Sequence, residues 1–346
     1  MASDSSLIET RQGALKLRLA SPDDLTIRRR RNGRGFAYYD EHDHRIVAAD
    51  MLQRIRSLGV PPAYEDVRIA GHQRAHLQAV GRDAAGRTQY RYHPDWSHVR
   101  ETQKSARLAT LCEALPRIRQ RVARDLHLPG IERNRVLAAV VTLIDRTHIR
   151  IGCEDYVHSA RSRGAATLLK RNVMRHGGGF KLIFRGKGGR QIETTIKAAG
   201  LMRLHPRLMK LPGSRLFQYR DADGTIRKVT ASQVNAYLTE IAGTGISAKD
   251  LRTLAATSLA ANRLAALTPA SSKRARRAQI ASVMNEIAER LCNTPTVVRK
   301  SYVHALLIDA FESGKLRRVS KRARQHRNRS RAESIVAALF PATARK

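Results

Sequence analysis

Two hydrophobic rhythms divide the chain. From Gly35 to about Trp96, apolar residues come in short segments broken by turn formers. Segment 36–39 ends at Asp40 and segment 66–70 ends at Gly71, while 76–80 and 88–92 flank a turn at 81–86. That pattern predicts short strands and hairpins. One helical stretch, 49–58, interrupts them and stops before Pro61 and Pro62. After Pro94 the period lengthens. Segments 105–126 and 134–149 carry apolar residues every three or four positions with arginines between, which predicts amphipathic helices. A β interlude is expected at 166–173, 180–184 and 191–195, with the turn 186–189 joining its last two strands. Helices follow over 198–210, 231–242, 248–267, 272–291 and 301–311. The expectation is an α+β protein. A small, mainly β amino-terminal domain (1–100) precedes a larger, mainly α domain (101–346) with a small three-stranded sheet.

Charge sharpens this picture. The 346 residues include 65 Lys and Arg against 29 Asp and Glu, a formal charge of +36. Such an excess repels itself unless a polyanion relieves it, and nucleic acid is the obvious polyanion. A hydrophobic share of 42% speaks for a folded body rather than a disordered tail. Charge alone fits a nucleoid-packaging protein equally well. The run Arg28 to Arg31, beside Gly33 and Gly35, reads as a flexible, phosphate-seeking stretch. The cationic tail 315–331 reads as a solvated, non-specific DNA tether.

Cys112, Cys153 and Cys292 are odd in number, widely spaced and free of C-x-x-C, which predicts neither a disulfide framework nor a metal site. The apolar run 136–144 is too short to cross a bilayer. The amino terminus has no basic-then-apolar leader pattern. A cytoplasmic, nucleoid-associated protein without cofactor or membrane partner is expected.

Five residues carry candidate chemistry. Arg150 lies in Thr-His-Ile-Arg-Ile-Gly, directly after an apolar helix, where a cation is costly unless it meets an anion. Lys187 sits between glycines at a hairpin tip. It is either a solvated turn residue or a long amine presented to a ligand that the glycines let approach. Arg252 closes Lys-Asp-Leu-Arg, with Asp250 as an alternative ion-pair partner. Asn293, before Thr-Pro, fits a helix N-cap or an amide donor to a phosphate. Tyr302 follows Arg299 and Lys300, cations that favour phenolate over phenol. Two guanidinium groups, an ammonium and a phenol suffice for a metal-free attack on a phosphodiester.

In this order the residues resemble the type IB DNA topoisomerases, in the compact form of poxviruses and bacteria. The family pattern is arginine, hairpin lysine, the K-x-x-R arginine, His or Asn, and tyrosine nine residues on. Here these are Arg150, Lys187, Arg252, Asn293 and Tyr302. Gly164-Ala-Ala-Thr-Leu-Leu is similar to the family's G-x-x-T-L segment, and 33–36, 61–63 and 81–92 resemble its DNA-clamping domain. Two departures concern packing: Leu254 replaces a common aromatic, and Ala305 replaces a proline.

The resemblance implies ATP-independent relaxation of supercoiled duplex DNA by a monomer that closes on DNA as a clamp. The implied route is a 3′-phosphotyrosyl intermediate on Tyr302, strand swivelling and religation. It also implies that Gln89, Tyr90 and Tyr92 enter the major groove while Arg87 holds phosphate. From the strand pattern alone, Tyr90 and Tyr92 equally suit one buried face. The rival readings are a tyrosine recombinase, disfavoured by Lys249 in place of His and by the β amino-terminal domain, and a packaging protein.

Overall fold

The alternating segments of the amino-terminal third become an antiparallel sheet. The computed structural model describes residues 7–8 and 17–341 and separates two units, Met1–Gln103 and Lys104–Lys346. In the first unit β1 (Leu7–Ile8) pairs with β2 (Leu17–Arg18). A five-stranded sheet comprises β3 (Ile27–Asn32), β4 (Gly35–Tyr39), β5 (Glu65–Ile69), β6 (Leu77–Arg82) and β7 (Thr88–Tyr92), in the order β4-β3-β5-β6-β7. Helix α1 (Ala49–Ser57) sets Ile55 into a cluster with Ile27, Val67, Ile69 and Ala79 from the sheet.

The arginine run is not flexible. It forms the middle of β3, paired along its length with β4 and at Arg28 also with β5. Arg29 donates to the carbonyls of Pro61 and Tyr64 and lies 4.1 Å over the Phe36 ring. Arg30 pairs with Asp43 at 2.6 Å and lies 4.6 Å from the Tyr39 ring centre. Facing aromatics across a hairpin make a strand of arginines stable, because the rings accept the cations.

Helix α2 (Trp96–Asp125) starts earlier than expected, within the first unit, and its part in the larger unit aims Leu108, Leu111, Leu115, Ile118 and Val122 at the core. Helix α3 (Arg133–Thr147) is buried on nearly every side from Val136 to Ile144, so the short apolar run encodes a central helix. Helix α4 (Glu154–Ala160) was not anticipated. The strand expected at 166–173 is absent. Thr167 Oγ1 accepts the Gly164 amide at 2.9 Å and Asn172 Oδ1 accepts the Leu169 amide at 3.0 Å, which bends the segment into two tight turns. The sheet is β8 (Val173–His176), β9 (Gly179–Arg185) and β10 (Gln191–Ile196), in the order β10-β9-β8.

Beyond α5 (Ala199–Met209), an unexpected hairpin forms from β11 (Gln218–Arg220) and β12 (Ile226–Lys228). Helices α6 (Ala231–Ala242), α7 (Ala248–Ala265), α8 (Lys273–Arg290) and α9 (Pro295–Val297) follow. The helix expected at 301–311 is broken. A π-turn, Val298–Tyr302, closes through Val303 N–H to Val298 O at 2.9 Å, and the chain is extended at Val303. Helix α10 (Ala305–Glu312) restarts under a cap from His304, so Ala305 holds the first helical position, where proline also fits.

The cationic tail is not a solvated tether. Segment 315–331 folds as α11 (Lys315–Arg322) and a turn that buries Leu316 and Ala323 while most of its cations stay exposed, and it leads into α12 (Arg331–Leu339), which packs against α7 through a face with Ile335 and Val336 buried. Apolar residues spaced among the cations drive this, each burial contributing roughly 1.5–3 kcal/mol. Arg119 fastens the end by pairing with Asp145 at 2.9 Å and Glu333 at 2.7 Å.

Candidate active site

Tyr302 ends the π-turn, the kind of helix irregularity that recurs at functional sites. It is buried, and Thr257 Oγ1 on α7 holds its carbonyl at 2.9 Å. One turn earlier on α7 stands Arg252, whose guanidinium carbon is 5.3 Å from the Tyr302 ring centre. Arg252 is only 4% exposed. Its Nη1 and Nη2 donate to the carbonyls of His148 and Leu291, while Nε is buried with no partner among the described residues. Asp250 is not its counter-ion. That carboxylate caps α7 by accepting from Ser247 N and Oγ at 2.8 and 2.7 Å. Arg252 is therefore a buried cation held by carbonyl dipoles and by the Tyr302 phenol, with no carboxylate partner among the described residues, and burial lowers its pKa.

Arg150 reaches the same place from the loop after α3, where His148 turns the chain through φ 57°. An interlock of two glycines fixes this loop. A Cβ on Gly152 (φ 81°) would lie 2.6 Å from Thr167 Oγ1, and one on Gly164 would lie 2.3 Å from Arg150 O. The Arg-Ile-Gly and Gly-x-x-Thr motifs are thus two halves of one backbone contact. Arg150 Nη2 donates to Asn293 Oδ1 at 2.7 Å.

Asn293 is not a helix cap. Thr294 caps α9, accepting from Val297 N at 3.3 Å. Instead Asn293 ends α8, where left-handed Cys292 (φ 47°) and the bond Asn293 N–H to Ala288 O, 2.8 Å, close the helix. Its Nδ2 is buried and lacks a partner among the described residues.

Burial by itself raises the Tyr302 pKa. The charges of Arg252 and Arg150 and the nearby Asn293 amide outweigh that effect, and the phenol lies below its ordinary value. The adjacent Arg299 and Lys300, expected to do this, point to solvent and are not the groups that act. The structure brings together four of the five candidates. Lys187 stands apart at the exposed β9–β10 hairpin tip, its ammonium 5.7 Å from the Tyr156 ring centre.

Two family models match the chain. "Eukaryotic DNA topoisomerase I, catalytic core" covers residues 94–329, and "Bacterial DNA topoisomerase IB, N-terminal domain" covers 35–83. The chain is also 31% identical over 294 residues to "DNA topoisomerase 1B" of Acanthamoeba polyphaga mimivirus, spanning 83% of this chain and 88% of that relative. The chain belongs to the type IB DNA topoisomerases. DNA is the substrate of that family. A solved structure, "XerH site-specific recombinase bound to difH substrate: pre-cleavage complex", is similar over 59% of this chain and 52% of that chain. At 14% identity and a TM-score of 0.37, that likeness carries no argument.

The amino-terminal candidates of this topoisomerase lie on and beside β7. Tyr90 and Tyr92 are 46% and 43% exposed, so the buried-face reading is wrong. They lie on β7, at the sheet edge, with rings 6.2 Å apart and nearly parallel, and Tyr92 continues to Trp96 at 6.3 Å. Asp83 holds both Arg87 and Gln89, at 2.9 Å each. Sequence reasoning missed Thr257, which secures the tyrosine backbone, and Arg190, whose Nη1 donates to Asn293 O at 2.8 Å. Neither carried a local signal, since each acts on a partner at least 45 residues away.

Proposed function

We propose that this topoisomerase cleaves one strand of duplex DNA with Tyr302 as nucleophile. The phenol oxygen, its proton released to water, attacks phosphorus and forms a 3′-phosphotyrosyl bond. The P–O5′ bond breaks, its electron pair stays on O5′, and the Lys187 ammonium supplies the proton that makes a 5′-hydroxyl. Arg150, Arg252 and Asn293 stabilise charge on the non-bridging oxygens as it builds, and the burial of Arg252 strengthens its share of that interaction. Religation reverses each transfer, so the bond energy is kept and ATP is unnecessary.

One observation carries this reading. Two buried donors with no hydrogen-bond partner among the described residues, Arg252 Nε and Asn293 Nδ2, belong to side chains that flank the phenol and favour its ionisation. An incoming phosphate would satisfy both. The arginines supply the charge that a metal brings elsewhere, so activity should survive chelation. On this account the enzyme acts as a monomer on supercoiled DNA in the nucleoid. The two units close on the duplex, with Gln89, Tyr90 and Tyr92 reading the major groove and Arg87 gripping phosphate.

The test is relaxation of a supercoiled plasmid with EDTA and without ATP. The unaltered protein should give a ladder of relaxed topoisomers. Tyr302→Phe should give none while binding DNA within a few-fold. Reversible mobility shifts alone would indicate a packaging protein, and activity only on paired sites a recombinase.

A further inference from the structure

A lysine that protonates a leaving oxygen must arrive at the scissile bond with the nucleophile, yet Lys187 rides on a separate β hairpin. Its loop depends on glycine: Gly188 and Gly189 adopt φ of 74° and 76°, and the tip is closed by Gly186 N–H to Arg190 O at 2.8 Å. Arg190 closes that turn with its backbone and reaches out with its side chain. Its Nη1 donates to Asn293 O, 103 residues away, at 2.8 Å. Asn293 in turn receives Arg150 on its side chain and follows Leu291, whose carbonyl receives Arg252.

We propose that Arg190 is a positioning residue that sets the Lys187 hairpin in register with the nucleophile site through the Asn293 backbone. This rests on the proposed role of Lys187 as proton donor. The bond spans the two elements that must move together: the hairpin tip is anchored three residues from Lys187, and Asn293 stands beside the phenol. Without it the glycine-rich tip is free to place the ammonium elsewhere, and misplacement by an ångström costs up to about 100-fold in rate. A salt-bridged arginine would spend its charge. Arg190 has no carboxylate partner among the described residues and serves as a tether.

The experiment is single-turnover cleavage by the full chain of two matched duplexes, one with the ordinary O5′ leaving atom and one with bridging sulfur, which departs without a proton. Lys187→Ala should be slow on oxygen and restored on sulfur. Arg190→Ala should be about 10- to 100-fold slow on oxygen, restored to within a few-fold on sulfur, and no slower than Lys187→Ala when the two are combined. If Lys187→Ala is rescued by sulfur but Arg190→Ala is equally slow on both duplexes, Arg190 supports binding or Asn293 alone and the tether is refuted. If Lys187→Ala itself is not rescued, the proton-donor reading fails first, and this inference with it.

Discussion

At the level of single residues, Tyr302 is a phenol tuned by charges distant in sequence. Burial pushes its pKa up, Arg252 and Arg150 pull it down further, and the balance lies below the ordinary phenol value near 10.0. With Tyr302 as the proposed nucleophile, its ionisation should make cleavage faster as pH rises, with a break where the phenolate dominates. Arg252 is the strongest lowering influence, so Arg252→Ala should move that break to higher pH. It should also lower the plateau by about 100- to 1000-fold, the range for losing one preorganised donor. Single-turnover cleavage from pH 6 to 10 reads both effects (a range set by roughly the ionisation of phenols). An unmoved break would mean that Arg252 serves only to bind the His148 and Leu291 carbonyls. Arg252→Lys should not rescue, because one ammonium cannot span two carbonyls and still face a phosphate.

Elements were legible where periodicity was strong and obscured where side chains or charge overrode it. The hairpin 179–196, the helices from α5 to α8 and the strand 88–92 follow their patterns to within a residue or two. Segment 165–172 does not, because Thr167 and Asn172 bond their own backbone. The arginine strand and the tail 315–331 were hidden by their charge, which conceals the aromatic partners of β3 and the buried Leu316 and Ala323. Within the site, the motif spacing picked out four residues that the fold brings together, Arg150, Arg252, Asn293 and Tyr302, but local rules misassigned Asn293 as a cap and offered Asp250 as a counter-ion. What decided both, a threonine one position later and a serine three positions earlier, is a choice between neighbours that spacing leaves open.

The tail also yields a stability prediction. Burial raises the Glu333 pKa, but Arg119 and Ser330 lower it more, so it lies below 4.5. A depressed carboxylate contributes stability above its unfolded pKa, and that contribution is lost as pH falls through the folded value. Thermal melting should therefore drop in acid below about pH 4.5, while Glu333→Gln should be destabilised by about 1–3 kcal/mol at neutral pH and show a shallower acid loss. Equal acid sensitivity in both proteins would remove Glu333 from the account.

For the whole molecule, a charge of +36 over 346 residues makes binding a matter of counter-ion release. With about 6–10 phosphate contacts, the logarithm of affinity should fall against the logarithm of salt with a slope of about −5 to −9, or 10³- to 10⁵-fold between roughly 50 and 200 mM. Anisotropy titrations of a labelled duplex measure it, and a flat response would show that the charge is spent within the fold. Part of it is, as Arg29, Arg30 and Arg119 demonstrate. The proposed reaction nonetheless depends on residues from 150 to 302 meeting at one phosphorus. The most direct measurement traps the covalent complex on a nicked suicide duplex in EDTA, digests it and maps the nucleotide-bearing peptide. The account predicts a 3′-phosphoryl oligonucleotide on Tyr302 of the π-turn peptide; a linkage to another residue, or to the 5′ end, would contradict it.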